Sequence, residues 1–150
     1  MPSRSFFLSF VYSPHRLCFS ASLSPPQLEK FFHPTTFELI AAGDIVPRKK
    51  PAPDIYHYVL EQMNLSPREC LVIEDSQAGV QAAAEVGLPT LVTQNEYTQN
   101  HDFPGEIAVL SDFGEPDAPF TVIRGDLGIY TYTTLATLNF LHQQVLSIKP

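Results

Sequence analysis

The chain has 150 residues, 44% hydrophobic and 17% charged, which is enough for one globular domain with a core of its own. Its formal net charge of −7 and pI near 5.0 exclude a surface built to neutralise nucleic-acid phosphates, a task that takes clustered Lys and Arg. No run approaches the roughly 18 consecutive apolar residues of a spanning helix, so no membrane partner is expected.

Residues 1–28 hold no Asp or Glu, two Arg (Arg4 and Arg16) and seven Ser. That composition fits an organellar transit peptide, while Pro14, Pro25 and Pro26 break any continuous amphipathic helix and favour an unrelated extension. The compartment is expected to be the cytoplasm, or a plastid or other organelle if the segment is a transit peptide. Cys18 and Cys70 are far apart, and Cys70 opens an apolar run, which points to reduced thiols rather than a disulfide scaffold.

From Phe37 the pattern alternates between strand and helix signals, as in βαβ units. Residues 37–42 read as a strand that ends at Gly43-Asp44, and Pro47 to Pro53 as a stiff basic loop. A helix follows from Pro53-Asp54, with Ile55, Tyr58, Val59 and Met63 on its apolar face. Asn64 to Pro67 closes it, and Cys70 to Ile73 reads as a strand buried on both faces. Ser76 is the expected N-cap of a small-residue helix over Ala78 to Ala84, stopped by Gly87 and Pro89. Strands are expected at Thr90 to Thr93 and Ala108 to Leu110, and a last helix over Thr133 to Leu146 with Leu135, Leu138, Leu141 and Val145 on one side.

Glu74 and Asp75 end a buried strand directly before a helix, where ligand sites lie in open parallel sheets. A hard divalent cation with oxygen ligands would relieve the repulsion between them, and magnesium suits few carboxylates completed by water and phosphate. Read alone, the pair is equally a solvated loop with one carboxylate capping the helix. Lys50 lies on the stiff loop after the preceding strand, and adjacent strands would bring it to the same crevice. An ammonium there can hold a phosphate oxygen, whereas Arg48 and Lys49 read as solvent-facing charges. The five histidines show no zinc-ligand pairing, and Asp112-Phe113-Gly114 reads as a turn after a strand.

The strings Gly43-Asp44, Lys50-Pro51-Ala52-Pro53-Asp54-Ile55-Tyr56 and Val72-Ile73-Glu74-Asp75-Ser76-Gln77-Ala78-Gly79 resemble the third and fourth motifs of the haloacid dehalogenase superfamily, in its branch of β-phosphoglucomutase and CbbY-type phosphatases. The resemblance covers residues 37–112. It implies that Lys50 orders the nucleophile and neutralises its phosphorylated form, that Glu74 and Asp75 help to hold magnesium, and that Ser76-x-x-Gly79 positions the helix. Asp44 and Asp54 then read as loop and helix-start residues.

The family's first motif, Asp-x-Asp, occurs nowhere in the sequence, and no Asp precedes Asp44. Its substrate-selecting cap is missing too. The second motif, a strand ending in a phosphate-binding Ser or Thr, is matched only by Leu17-Cys18-Phe19-Ser20. The expected fold is therefore α/β, a Rossmann-like parallel sheet truncated at its N-terminus, divided into a segment 1–36 and a C-terminal core part 37–150. Loss of the first strand should expose a sheet edge for another chain to cover, unless the N-terminal segment does so. The implied activity is that of a hydrolase, a magnesium-dependent phosphatase for a small phosphorylated metabolite such as a sugar phosphate, here a fragment inactive alone. The alternatives are a non-catalytic relic or splice form that binds magnesium or phosphate or pairs with the full-length enzyme, and a phosphomutase parent.

Overall fold

The computed structural model describes residues 8–14, 16–21, 37–42, 44–96 and 98–148. Of the positions singled out above, Arg4, Pro25, Pro26 and Gly43 lie outside the described residues, as do two of the five histidines, His15 and His33.

The described residues form β1 (Leu8–Ser13), β2 (Arg16–Ala21), β3 (Leu39–Ala42), α1 (Asp54–Met63), β4 (Leu71–Glu74), α2 (Gln77–Glu85), β5 (Thr90–Thr93), β6 (Glu106–Leu110), β7 (Val122–Arg124) and α3 (Leu135–Ser147). The strands make one sheet in the order β3-β2-β1-β4-β5-β6-β7. Pairs β2–β3, β4–β5 and β5–β6 are parallel. Strand β1 is antiparallel to both neighbours, β2 and β4, and β7 is antiparallel to β6. The α/β class is as expected, but the sheet is mixed rather than wholly parallel.

The difference arises in the N-terminal segment. Residues 8–13 carry the consecutive apolar side chains Phe10, Val11 and Tyr12, and the two-residue period of a strand sends Val11 to one layer and Phe10 and Tyr12 to the other. The turn at Pro14 folds them back on β2, and Val11 and Tyr12 meet Val72 and Leu71 across the ladder. The N-terminal hairpin thereby satisfies the backbone of β4 on its open side, so the edge expected to need another chain is paired. Strands β1 and β2, which fall within the segment 1–36 set apart from 37–150, are part of the same sheet as the strands of 37–150.

Helices flank both faces. On one side α1 and α2 lay Ile55, Val59, Leu60, Met63, Ala82 and Ala83 against Val11, Ala41 and Val72. On the other, Leu138 and Leu141 of α3 pack with Tyr12, Leu71, Ile73, Leu91 and Leu110. Strand β4 is buried along its whole length, as its unbroken apolar run requires. Each fully buried aliphatic side chain of this kind contributes about 1.5–3 kcal/mol.

Local sequence fixes the helix ends. Ser76 caps α2, its Oγ accepting from the Gly79 N–H at 3.1 Å. Thr134 caps α3 in a box with Thr137. The buried stripe of α3 is Leu138, Leu141 and His142 with Thr137, and Leu135 is 66% exposed. Leu135 is the first residue of the helix and does not join the expected face. Asp112-Phe113-Gly114 is a turn after β6, with Asp112 Oδ1 accepting from the Gly114 N–H at 2.7 Å and Gly114 at φ +66°. Among the described residues no helix is long and apolar enough to cross a membrane.

Candidate functional site

Strands β2, β3, β4, β5 and β6 share one direction, so the loops after β3 and β4 leave from the same edge of the sheet. Such an edge, beyond the carboxyl ends of parallel strands, is where ligands bind in open α/β folds. The loop after β3 carries Lys50, and β4 ends on Glu74. They meet: the Lys50 ammonium donates to Glu74 Oε1.

Two further donors, which the sequence did not announce, reach the same oxygen. Ser9 on β1 donates its hydroxyl at 2.6 Å. Tyr56, in the first turn of α1, donates its phenol. The ring of Tyr56 also lies under the Lys50 ammonium, 5.1 Å from its centroid, a cation–π placement. Lys50 in turn hydrogen-bonds Ser9 Oγ. The other Glu74 oxygen, Oε2, accepts from Ser76 Oγ at 3.3 Å. Four elements thus converge on one carboxylate.

Glu74 is fully buried, while the Lys50 side chain keeps 22% of its surface exposed. Of this ion pair, the lysine is the member that reaches the surface. Burial and the adjacent Glu74 charge push the Tyr56 phenol well above its ordinary value, so it remains a protonated donor. A buried carboxylate without partners would be strongly unfavourable, and this one is held by charge-assisted bonds from both loop and sheet.

Gly79 makes the approach possible. A β-carbon at this position would stand 2.1 Å from the Glu74 carboxyl carbon, so the carboxylate occupies the space that any side chain on α2 would fill. In Ser76-x-x-Gly79, the serine caps the helix and the glycine admits Glu74.

Asp75 follows at the mouth of the loop, half-buried, with its backbone carbonyl accepting from Asn95 Nδ2 at 3.3 Å. Ser20 sits in β2 directly across from Ser9 and beside Ala41 in the ladder, at the same edge of the sheet. Its side chain lies outside the described residues. Asp54 starts α1 and pairs with Arg48, Oδ1 to Nη2 at 2.7 Å, so the basic loop is tied to the helix it precedes. Asp44 is an exposed loop residue. Among the described residues no group of three or more His, Cys, Asp or Glu is arranged to hold a metal ion.

Residues 20–87 match the family described as haloacid dehalogenase-like hydrolase. The similarity to that family extends over a little under half of the chain. Lys50, Tyr56, Glu74, Asp75 and Gly79 all fall inside the matched stretch, whereas Ser9 precedes it. Within the family the resemblance is to CbbY. Protein CbbY of Cereibacter sphaeroides is 37% identical over 107 residues, 67% of this chain and 46% of its own length. A phosphorylated carbohydrates phosphatase of Thermotoga maritima is 44% identical over 61 residues, 41% of this chain and 26% of its own. The crystal structure of CbbY from Rhodobacter sphaeroides in complex with phosphate superposes with a TM-score of 0.49 at 38% identity, covering 52% of this chain and 35% of that one. The chain spans less than half the length of these curated relatives.

Proposed function

We propose that the chain carries the phosphate-directed part of a haloacid dehalogenase-like phosphatase site for phosphorylated sugars, with Lys50 as the residue that meets a phosphate oxygen. The observation that carries this reading is the placement of Lys50: a cation on the ligand-binding edge, fixed underneath by Glu74, Tyr56 and Ser9, with its exposed side toward solvent. A point charge held in this way loses little freedom when it takes up an anion, which favours binding. The names of the relatives, CbbY and phosphorylated carbohydrates phosphatase, support a sugar phosphate as the class of ligand.

Ser20 is the second candidate for phosphate contact. Its register position beside Ala41 and across from Ser9 supports that role, since it brings the residue to the edge that presents Lys50. Turnover is a separate matter. The sequence contains no Asp-x-Asp, and the residue beside Glu74 on β1 is a buried serine. The chain by itself is therefore read as binding a phosphate ester without hydrolysing it. The ammonium is shared with Glu74, and Asp75 adds a negative charge nearby, so affinity should be weak, with Kd on the order of 1 mM.

Magnesium is the cofactor that the family resemblance implies. The described donors fit it poorly: Glu74 Oε1 is already taken by three donors, and no third acidic or histidine ligand joins the pair. No step is assigned to it here. As for compartment, β1 and β2 are interior strands, which supports residues 8–21 staying with the folded chain instead of leaving as part of a transit segment.

The test is titration of the full chain with inorganic phosphate and with fructose 1-phosphate, followed by NMR, beside an assay of p-nitrophenyl phosphate hydrolysis. Saturable binding weakened at least tenfold in Lys50→Met, with no hydrolysis above background, is expected. Binding unchanged in Lys50→Met would remove the reading.

A further inference from the structure

We infer that in this chain the Lys50 ammonium occupies the cation's place at Glu74, so that Glu74 does not serve as a ligand to a divalent metal ion. The inference stands on the geometry of the cluster and not on the phosphate reading above.

Three features carry it. Glu74 Oε1 receives Lys50 Nζ, Ser9 Oγ and Tyr56 Oη together, which exhausts the lone-pair directions of a carboxylate oxygen. A divalent ion must arrive with a near-octahedral set of oxygens at about 2.0–2.1 Å, and it cannot share that oxygen with an ammonium without like-charge repulsion. Secondly, Glu74 is fully buried, whereas the Lys50 side chain bonded to it keeps 22% of its surface exposed, so the lysine is the member of the pair that solvent reaches. An incoming ion would have to expel the lysine first and leave its charge without the partner that holds it over Tyr56. Thirdly, Oε2 does not offer a second route, since it faces Ser76 Oγ at 3.3 Å and lies against the backbone of Gly79.

Ser9 is the residue that closes the arrangement. It comes from β1, which runs antiparallel to both of its neighbours, and it hydrogen-bonds both members of the ion pair. A carboxylate at that position would add a ligand and repel Glu74; a hydroxyl instead donates to it. The result is a Lys50–Glu74 ion pair that is neutral within itself.

The experiment uses the full chain and Mg²⁺ or Mn²⁺ alone as the probe, with calorimetry and with NMR detection of the Lys50 ε-methylene, whose carbon-bound protons do not exchange with water. The expected result is no saturation up to about 10 mM of either ion and an unchanged Lys50 resonance. In Lys50→Met, which removes the competing charge, Mn²⁺ affinity should rise at least tenfold. Saturable binding to the unmodified chain that Glu74→Gln abolishes would overturn the inference, as would a folded Lys50→Met that gains nothing. If Lys50→Met does not fold, the Lys50 resonance decides: a saturable shift on adding Mg²⁺ overturns the inference, and constancy supports it.

Discussion

The α-carbon of Gly79 stands against the carboxylate of Glu74, so closely that a methyl group on it would lie 2.1 Å from the carboxyl carbon and 2.2 Å from both oxygens. The contact ties the first turn of α2 to the end of β4. Gly79→Ala should therefore destabilise the fold by about 1–3 kcal/mol, through displacement of the buried carboxylate. Helix propensity alone would give the opposite sign, a gain of about 1 kcal/mol. Urea unfolding of the two proteins separates these outcomes, and a stabilised variant would mean that the carboxylate does not rest on the helix.

Tyr56→Phe keeps the ring beneath Lys50 and removes the phenol that donates to Glu74. Because the acceptor is charged and fully buried, the expected loss is about 1.5–3 kcal/mol. Thermal melts check it. A change within about 0.5 kcal/mol, the range of an ordinary surface substitution, would show that the hydroxyl is dispensable.

Burial pushes the Cys70 thiol up from 9.0 to about 12. The folded state then holds this proton more tightly than the unfolded state, so the stability linked to it is complete below pH 9 and lost as pH rises toward 12. Tyr56, also shifted upward, acts in the same direction. Unfolding free energy should consequently fall on the alkaline side, and Cys70→Ala should flatten part of that slope. At pH 8, peptide mapping after brief iodoacetamide treatment should find Cys70 unmodified, because the thiolate is the reactive form.

Much of the C-terminal architecture is legible in the sequence because each element announces itself locally. Cys70 to Ile73 is an unbroken apolar run, and Ser76 and Gly87 bracket a small-residue helix; Lys50 follows β3 and Glu74 ends β4, which share a direction although they are not the adjacent strands expected, β2 and β1 lying between them. Ser9 gives no such signal. Its partner Glu74 is 65 residues away, and only the antiparallel insertion of β1 between β2 and β4 brings them together. Tyr56 had a weaker cue, a hydroxyl-bearing ring at a buried position one helical turn after the basic loop. Strand β7 is exposed along its length, so no burial pattern marks it. What escapes the sequence is tertiary pairing, where one strand's direction decides which side chain meets the site.

The most direct measurement is a double-mutant cycle on the unfolding free energy with Lys50→Met, Glu74→Gln and the double variant. Lys50 and Glu74 form an ion pair buried on the acidic side, and removing either partner leaves a charge or donor stranded among Tyr56 and Ser9. The expected coupling is about 1–3 kcal/mol, with the double variant less damaged than the sum of the singles. Additivity within about 0.5 kcal/mol would mean that the two side chains do not meet, and would contradict the site described for this chain.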